Sequence, residues 1–151
     1  MKILSFLLLL SIAFIASCGN SQNEEIEKLL DTREKAFETQ DVDLYMTLID
    51  PDYSVEKDNK VFGLEEVKKG FLSNVTLFDD LKISHASRSI YERGDTTEAV
   101  QLTVVDASVN ESKTRFKVNE RIKFSKIDGK WLIVEESDAD FLERFVFGGS
   151  N

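Results

Sequence analysis

The strongest constraint on the fold is a strict alternation of apolar and polar side chains over residues 114–125. Phe116, Val118, Ile122 and Phe124 occupy even positions, and the odd positions from 115 to 123 carry basic or amide side chains. A period of two predicts a strand with one buried face. We therefore expect a sheet that covers a core on one side.

Three further segments have the same character. Residues 81–92, 98–109 and 130–136 read as strands, and Val100, Leu102 and Val104 share one face of the second segment. A turn at residues 93–95 and an Asp128-Gly129 hairpin signal separate strands that follow one another closely. Short connections of this kind predict an antiparallel meander of four long strands.

Helical spacing dominates the chain before this meander. Apolar residues recur every three or four positions over residues 24–40, 42–49 and 64–75, and Asp41 is placed to cap the second helix. A short strand is expected at residues 53–55. Helices followed by a meander predict an α+β fold, with N-terminal helices packed on a curved, mostly antiparallel sheet.

Two stretches of this pattern resemble a known family. Residues 36–53, AFETQDVDLYMTLIDPDY, and residues 126–134, KIDGKWLIV, are similar to the nuclear transport factor 2-like superfamily, particularly its SnoaL-like bacterial branch. The resemblance implies a cone-shaped domain whose concave sheet face lines a pocket. It implies little about activity, because this fold hosts enzymes, carriers and interaction modules.

The N-terminus has the layout of an export signal. Lys2 precedes an apolar run too short to span a bilayer, which needs roughly 20 residues. The sequence Ile15-Ala16-Ser17-Cys18 resembles the lipobox of bacterial lipoproteins, which implies cleavage before Cys18 and acylation of its thiol. The alternative is an ordinary signal peptide with an accidental cysteine. We expect a signal peptide at residues 1–17, a flexible tether at 18–23 and one domain at 24–151, with Gly19 favouring the outer membrane by the same resemblance.

Charge and composition exclude several classes of partner and cofactor. The chain has 28 acidic against 19 basic side chains and one cysteine. This acidic balance argues against binding to nucleic acid. One cysteine and one histidine argue against a metal site, and no cofactor-binding motif occurs.

Glu120 and His85 are the candidate catalytic residues. Glu120 falls on the apolar face of its strand, where a carboxyl group with a raised pKa could act as acid or base. The alternatives are an ion pair with an arginine or a β-bulge that turns it to solvent. His85 either shares the inner face with Leu81 and Ile83, or faces water while Ala86, Arg88 and Ile90 point inward.

Tyr45, Tyr53 and Trp131 are candidate pocket residues, because each joins an aromatic body to one polar atom. They are equally compatible with a purely structural role in the core. The apolar tail, residues 138–151, is expected to pack on its own domain, to cover the cone, or to meet a second protomer in a homodimer.

We expect a lipid-anchored domain of the bacterial cell envelope that binds a small apolar or amphipathic ligand or a protein partner, and the sequence demonstrates no catalysis. The alternative is a SnoaL-like proton-transfer enzyme, such as an isomerase, dehydratase or cyclase, that uses Glu120 and His85. A third interpretation is a purely structural module of an envelope complex, with the tail as its contact.

Overall fold

The structure is a computed structural model that describes residues 18–57, 60–93 and 96–137. The predicted signal peptide and the apolar tail lie outside these residues. The predicted α+β class is confirmed, since three helices precede four long strands. The elements are α1 (Cys18–Glu38), α2 (Val42–Met46), β1 (Val55–Lys57), β2 (Lys60–Phe62), α3 (Leu64–Val75), β3 (Asp80–Arg93), β4 (Thr96–Val109), β5 (Ser112–Ile127) and β6 (Lys130–Ser137).

The four long strands form one antiparallel sheet in the order β3-β4-β5-β6. β1 and β2 form a separate small hairpin before α3. Asp128 and Gly129 both have positive φ, 49° and 81°, as a two-residue turn between twisted strands requires. The predicted meander and its last hairpin are therefore confirmed.

The helices cover one face of the sheet, which we call the inner face. Ile26, Leu30 and Phe37 of α1 are fully buried, and they form one core with inward residues of β4, β5 and β6. Asp41 caps α2 as predicted, since its carboxylate accepts a hydrogen bond from the amide of Leu44 at 2.9 Å.

Two helix boundaries differ from the prediction. α2 ends at Met46, because the next residues bond to strand β6: Ile133 N–H donates to the Leu48 carbonyl at 2.8 Å, and Asp50 N–H donates to the Ile133 carbonyl at 2.9 Å. The expected tether at residues 18–23 is helical, since α1 begins at Cys18. The Gln22 amide donates to the Thr97 hydroxyl at 2.8 Å, which attaches this part of the helix to the sheet.

Two β-bulges change which side chains face inward. One lies at Ala86, between His85 and Ser87 of β3, and the other at Val134 of β6, opposite Lys123 and Phe124. Each inserts one residue, so the alternation changes phase beyond it. The inner face therefore receives Arg88 in β3 and Glu136 in β6.

None of the helices in the described ranges is long and apolar enough to cross a membrane.

Candidate functional site

A buried ionic cluster occupies the inner face between α1 and the sheet. Arg33 of α1 places Nε 2.6 Å from Glu136 Oε1 and Nη2 3.0 Å from Glu120 Oε1. All three side chains are at most 1% exposed. The two carboxylates share one guanidinium as counter-charge and hydrogen-bond to it directly, which offsets part of the cost of removing them from water.

Glu120 is the inward carboxylate that the alternation of β5 predicts. Its Oε1 accepts from Arg33, while its Oε2 accepts from Gln101 Nε2 at 2.8 Å and from the Thr103 hydroxyl. Both carboxylate oxygens are thus engaged by neighbours on α1 and β4. Glu120 therefore forms the ion pair with an arginine that is the structural alternative to a catalytic role.

Glu136 completes the cluster on strand β6. Its Oε1 accepts from Arg33, and its Oε2 accepts from the Tyr45 hydroxyl at 2.8 Å. Burial lowers the pKa of Arg33, whereas the negative charges of Glu120 and Glu136 raise it. Together the two carboxylates outweigh burial, so the pKa of Arg33 lies above its usual value. Burial, reinforced by the charge of Glu136, also raises the pKa of Tyr45 well above its ordinary range.

The sequence held a signal for Arg33 that the predictions missed. Arg33 follows Leu29 by four residues and precedes Phe37 by four, so it lies on the buried stripe of α1. Its guanidinium lies over the Phe37 ring, 5.1 Å from the centroid. A lone arginine on an apolar stripe indicates a buried carboxylate partner.

The three candidate pocket residues are all buried, with different hydrogen bonding. The Tyr45 hydroxyl is engaged by Glu136, as described above. The Tyr53 hydroxyl and Trp131 Nε1 are buried and form no hydrogen bond of standard geometry within the described part of the chain, although the Glu136 backbone lies close enough to the Tyr53 hydroxyl to act on its pKa. Burial, with a further contribution from the charge of Glu136, raises the pKa of Tyr53.

His85 lies at the margin of the inner face and not beside Glu120. Its Nδ1 is 3.4 Å from Glu34 Oε1, and 37% of its side chain is exposed. Because of the bulge at Ala86, each of the two alternatives for the inward residues of β3 is correct for one part of the strand. Leu81 and Ile83 point inward before it, and Arg88 and Ile90 do so after it.

Arg88 links this margin to the buried cluster. Its guanidinium donates to Glu27 at 2.6 Å, to Asp31 at 2.8 Å and to Glu34, all on α1. Its Nε also donates to Gln101 Oε1 at 2.8 Å, and the Gln101 amide donates to Glu120. Hydrogen bonds therefore run without interruption from the exposed carboxylates of α1 to the buried cluster.

Other features of the described residues do not add a reactive centre. No group of three or more histidine, cysteine, aspartate or glutamate residues in those ranges is arranged to hold a metal ion. Two open depressions, of about 610 and 280 Å³, lie at the turn between β4 and β5, around Asp79, Ser108 and Lys113. Neither includes a candidate site residue.

Comparison with solved structures finds the same fold in proteins of different description. One is a nuclear transport factor 2-like superfamily protein from Salmonella enterica serovar Typhimurium, with a TM-score of 0.70 and 16% identity over 79% of this chain and 90% of that one. A second is a candidate dehydratase of the same family from Streptomyces avermitilis, with a TM-score of 0.69 and 14% identity over 79% and 95% of the two chains. A third is a candidate calcium/calmodulin-dependent protein kinase II association domain from Xanthomonas campestris, with a TM-score of 0.62 and 22% identity over 74% and 82%.

No family model and no curated protein matches the sequence. At these identities, the structural likenesses show the fold alone. The chain has the nuclear transport factor 2-like fold, as the sequence resemblance implied, and its function has to be argued from its own residues.

Proposed function

We propose that this chain is a lipid-anchored domain of the bacterial cell envelope that holds a small amphipathic ligand on its inner face without transforming it. The ligand would offer a hydrogen-bond acceptor to Trp131 Nε1 and a polar group to the Tyr53 hydroxyl. Its apolar part would lie against the surrounding core. The anchor would be an acyl group on Cys18.

The observation that carries the ligand proposal is the pair of buried polar atoms without partners. Leaving a buried donor unsatisfied costs about 1–3 kcal/mol, and most such groups in folded proteins are paired. Tyr53 and Trp131 are 4% and 8% exposed, so bulk water does not satisfy them. Ligand groups that bond to these atoms would recover this free energy.

The geometry of Glu120 supports binding over proton transfer. A general base needs a free lone pair within reach of the substrate, whereas Glu120 is 1% exposed and accepts from three side chains. His85 contacts Glu34, and among the described residues only a chain of hydrogen bonds through Arg88 and Gln101 connects Glu34 to Glu120. No observation favours the alternative in which these two residues act together.

Native mass spectrometry of the protein extracted from its own cell membranes tests the ligand proposal. We expect one non-covalent adduct of constant mass, and at least about tenfold less of it in a Tyr53→Phe/Trp131→Phe variant, since two hydrogen bonds are lost and each is worth up to about that factor. Tyr91→Phe is the matched control, because Tyr91 is 49% exposed.

Absence of any adduct from the wild-type protein would contradict ligand binding. An adduct that survives the double variant undiminished would contradict this location for it. Tyr53→Phe alone is the second variant, because it removes only a hydroxyl group that has no partner in the described part of the chain.

A further inference from the structure

The outer face of strand β5 carries a row of basic side chains. Because β5 alternates, every odd-numbered residue along this stretch points away from the helices. This row, together with Val100 and Leu102 of β4 beside it, is called the basic face below. Its charged members are Lys113, Arg115, Lys117, Arg121 and Lys123.

The basic face has more positive charge than its neighbours neutralise. Arg115 pairs with Asp106 at 3.2 Å, Arg121 with Glu98 at 3.2 Å and Lys123 with Glu135 at 2.7 Å. Lys113 and Lys117 are exposed and form no ion pair with any described residue. The face is therefore locally positive on a chain whose formal net charge is −9.

An apolar row runs directly alongside these cations. Val100 pairs with Arg121, and Leu102 pairs with Asn119, in the register of β4 and β5. Val100 is 36% exposed and Leu102 is half-buried. Basic side chains next to apolar ones match a headgroup layer, where the charge meets phosphate and the apolar atoms reach the acyl boundary.

We propose that the basic face docks onto an anionic phospholipid surface. The row extends from Lys113 to Lys123, about 33 Å of extended chain, which suits a broad surface better than a compact ligand. Each lysine or arginine near an anionic membrane contributes about a threefold to sixfold gain in binding. A symmetric dimer through this face would bring one basic row against another, which costs free energy.

The start of α1 lies at the same end of strand β5 as Lys123, on the opposite face of the sheet from the basic face. Gln22 contacts Thr97, and Thr97 pairs with Phe124, the neighbour of Lys123. An anchor at Cys18 would therefore hold this end of β5 near the membrane. Only this proximity rests on the proposed anchor, because the charge and exposure of the face are independent of acylation.

Vesicle sedimentation with an unacylated chain tests the docking surface. The chain starts at residue 18 and carries Cys18→Ser; it keeps the whole described core, which extends from Ile26 to Ile133. Vesicles are phosphatidylcholine with or without phosphatidylglycerol. We expect salt-sensitive binding to the anionic vesicles only, and at least about tenfold weaker binding for Lys113→Glu/Lys117→Glu.

Lys28→Glu/Lys35→Glu is the matched control, since it changes net charge equally at exposed positions of α1. Equal loss in both variants, or no binding by the parent chain, would overturn the proposal. So would a dimer that the Lys113/Lys117 change dissociates, or binding to polyglutamate but not to vesicles. Acylation of Cys18 and ligand binding are tested by other measurements. A negative result for either of them can therefore be distinguished from a failure of the membrane-docking proposal.

Discussion

Arg33 Nε and Glu136 Oε1 lie 2.6 Å apart, although 103 residues separate them in the sequence. The pair joins the first helix to the last strand of the domain, with Glu120 on the other side of the same guanidinium. Such a cluster sets the position at which α1 packs against the sheet. Its energetic value depends on all three charges being present.

Replacing Arg33 with methionine would leave two carboxylates buried without their counter-charge. We expect the free energy of unfolding to fall by about 3–5 kcal/mol, as measured by urea denaturation at neutral pH. The variant Arg33→Met/Glu120→Gln/Glu136→Gln, which removes the buried charges as well, should recover part of this loss. A single variant as stable as the wild type would contradict the assigned role of the cluster.

Two tyrosines of the inner face should respond oppositely to removal of the hydroxyl group. Tyr45→Phe breaks the hydrogen bond to Glu136 and leaves that carboxylate with less support, so stability should fall by about 1–3 kcal/mol. Tyr53→Phe removes a hydroxyl that is buried without a partner in the described chain, so stability should be unchanged or rise by about 1 kcal/mol. Thermal or urea unfolding of refolded, ligand-free protein measures both, and a comparable loss in the two variants would refute the distinction.

Glu34 should make a pH-dependent contribution to stability. Burial raises its pKa, and the opposing charges of Arg88 and His85 do not cancel this effect. The folded protein therefore holds that proton more tightly than the unfolded chain, and the contribution increases on acidification and is lost as pH rises through the raised pKa. We expect the stability difference between wild type and Glu34→Gln to grow in favour of wild type from about pH 7 to about pH 5.

The control for this titration is Glu24→Gln, which removes one negative charge from an exposed position of the same helix. Comparing the two variants separates the Glu34 site from the general effect of charge. A stability difference for Glu34→Gln that shrinks on acidification would show the opposite sign and contradict the prediction.

The anchor predicts a sharp dependence on Cys18. Growth with labelled palmitate should label the wild-type protein, which should sediment with membranes, and Cys18→Ser should be unlabelled and retain its signal peptide. Intact mass of the N-terminal tryptic peptide provides the independent measurement. A mature protein with a free Cys18 thiol, found in the soluble fraction, would refute the anchor.

The fold was predictable because its long strands alternate cleanly and its turns carry strong local signals. The same alternation placed Glu120 on the inner face without any knowledge of its partners. Glu136 was not found, because the bulge at Val134 shifts it inward, against the phase set by Trp131 and Ile133. Contacts such as Arg33 with Glu136 depend on elements far apart in sequence, and local periodicity does not encode them.

The two bulges at Ala86 and Val134 also bear on how this chain can be compared with relatives. Each is one inserted residue; the first decides whether Arg88 faces inward or outward, and the second decides the same for Glu136. At 14–22% identity, an alignment that misplaces either insertion by one position pairs an inward side chain with an outward one. Residue roles can therefore be transferred to or from this domain only after structural superposition. Each bulged strand has to be superposed separately before and after its bulge.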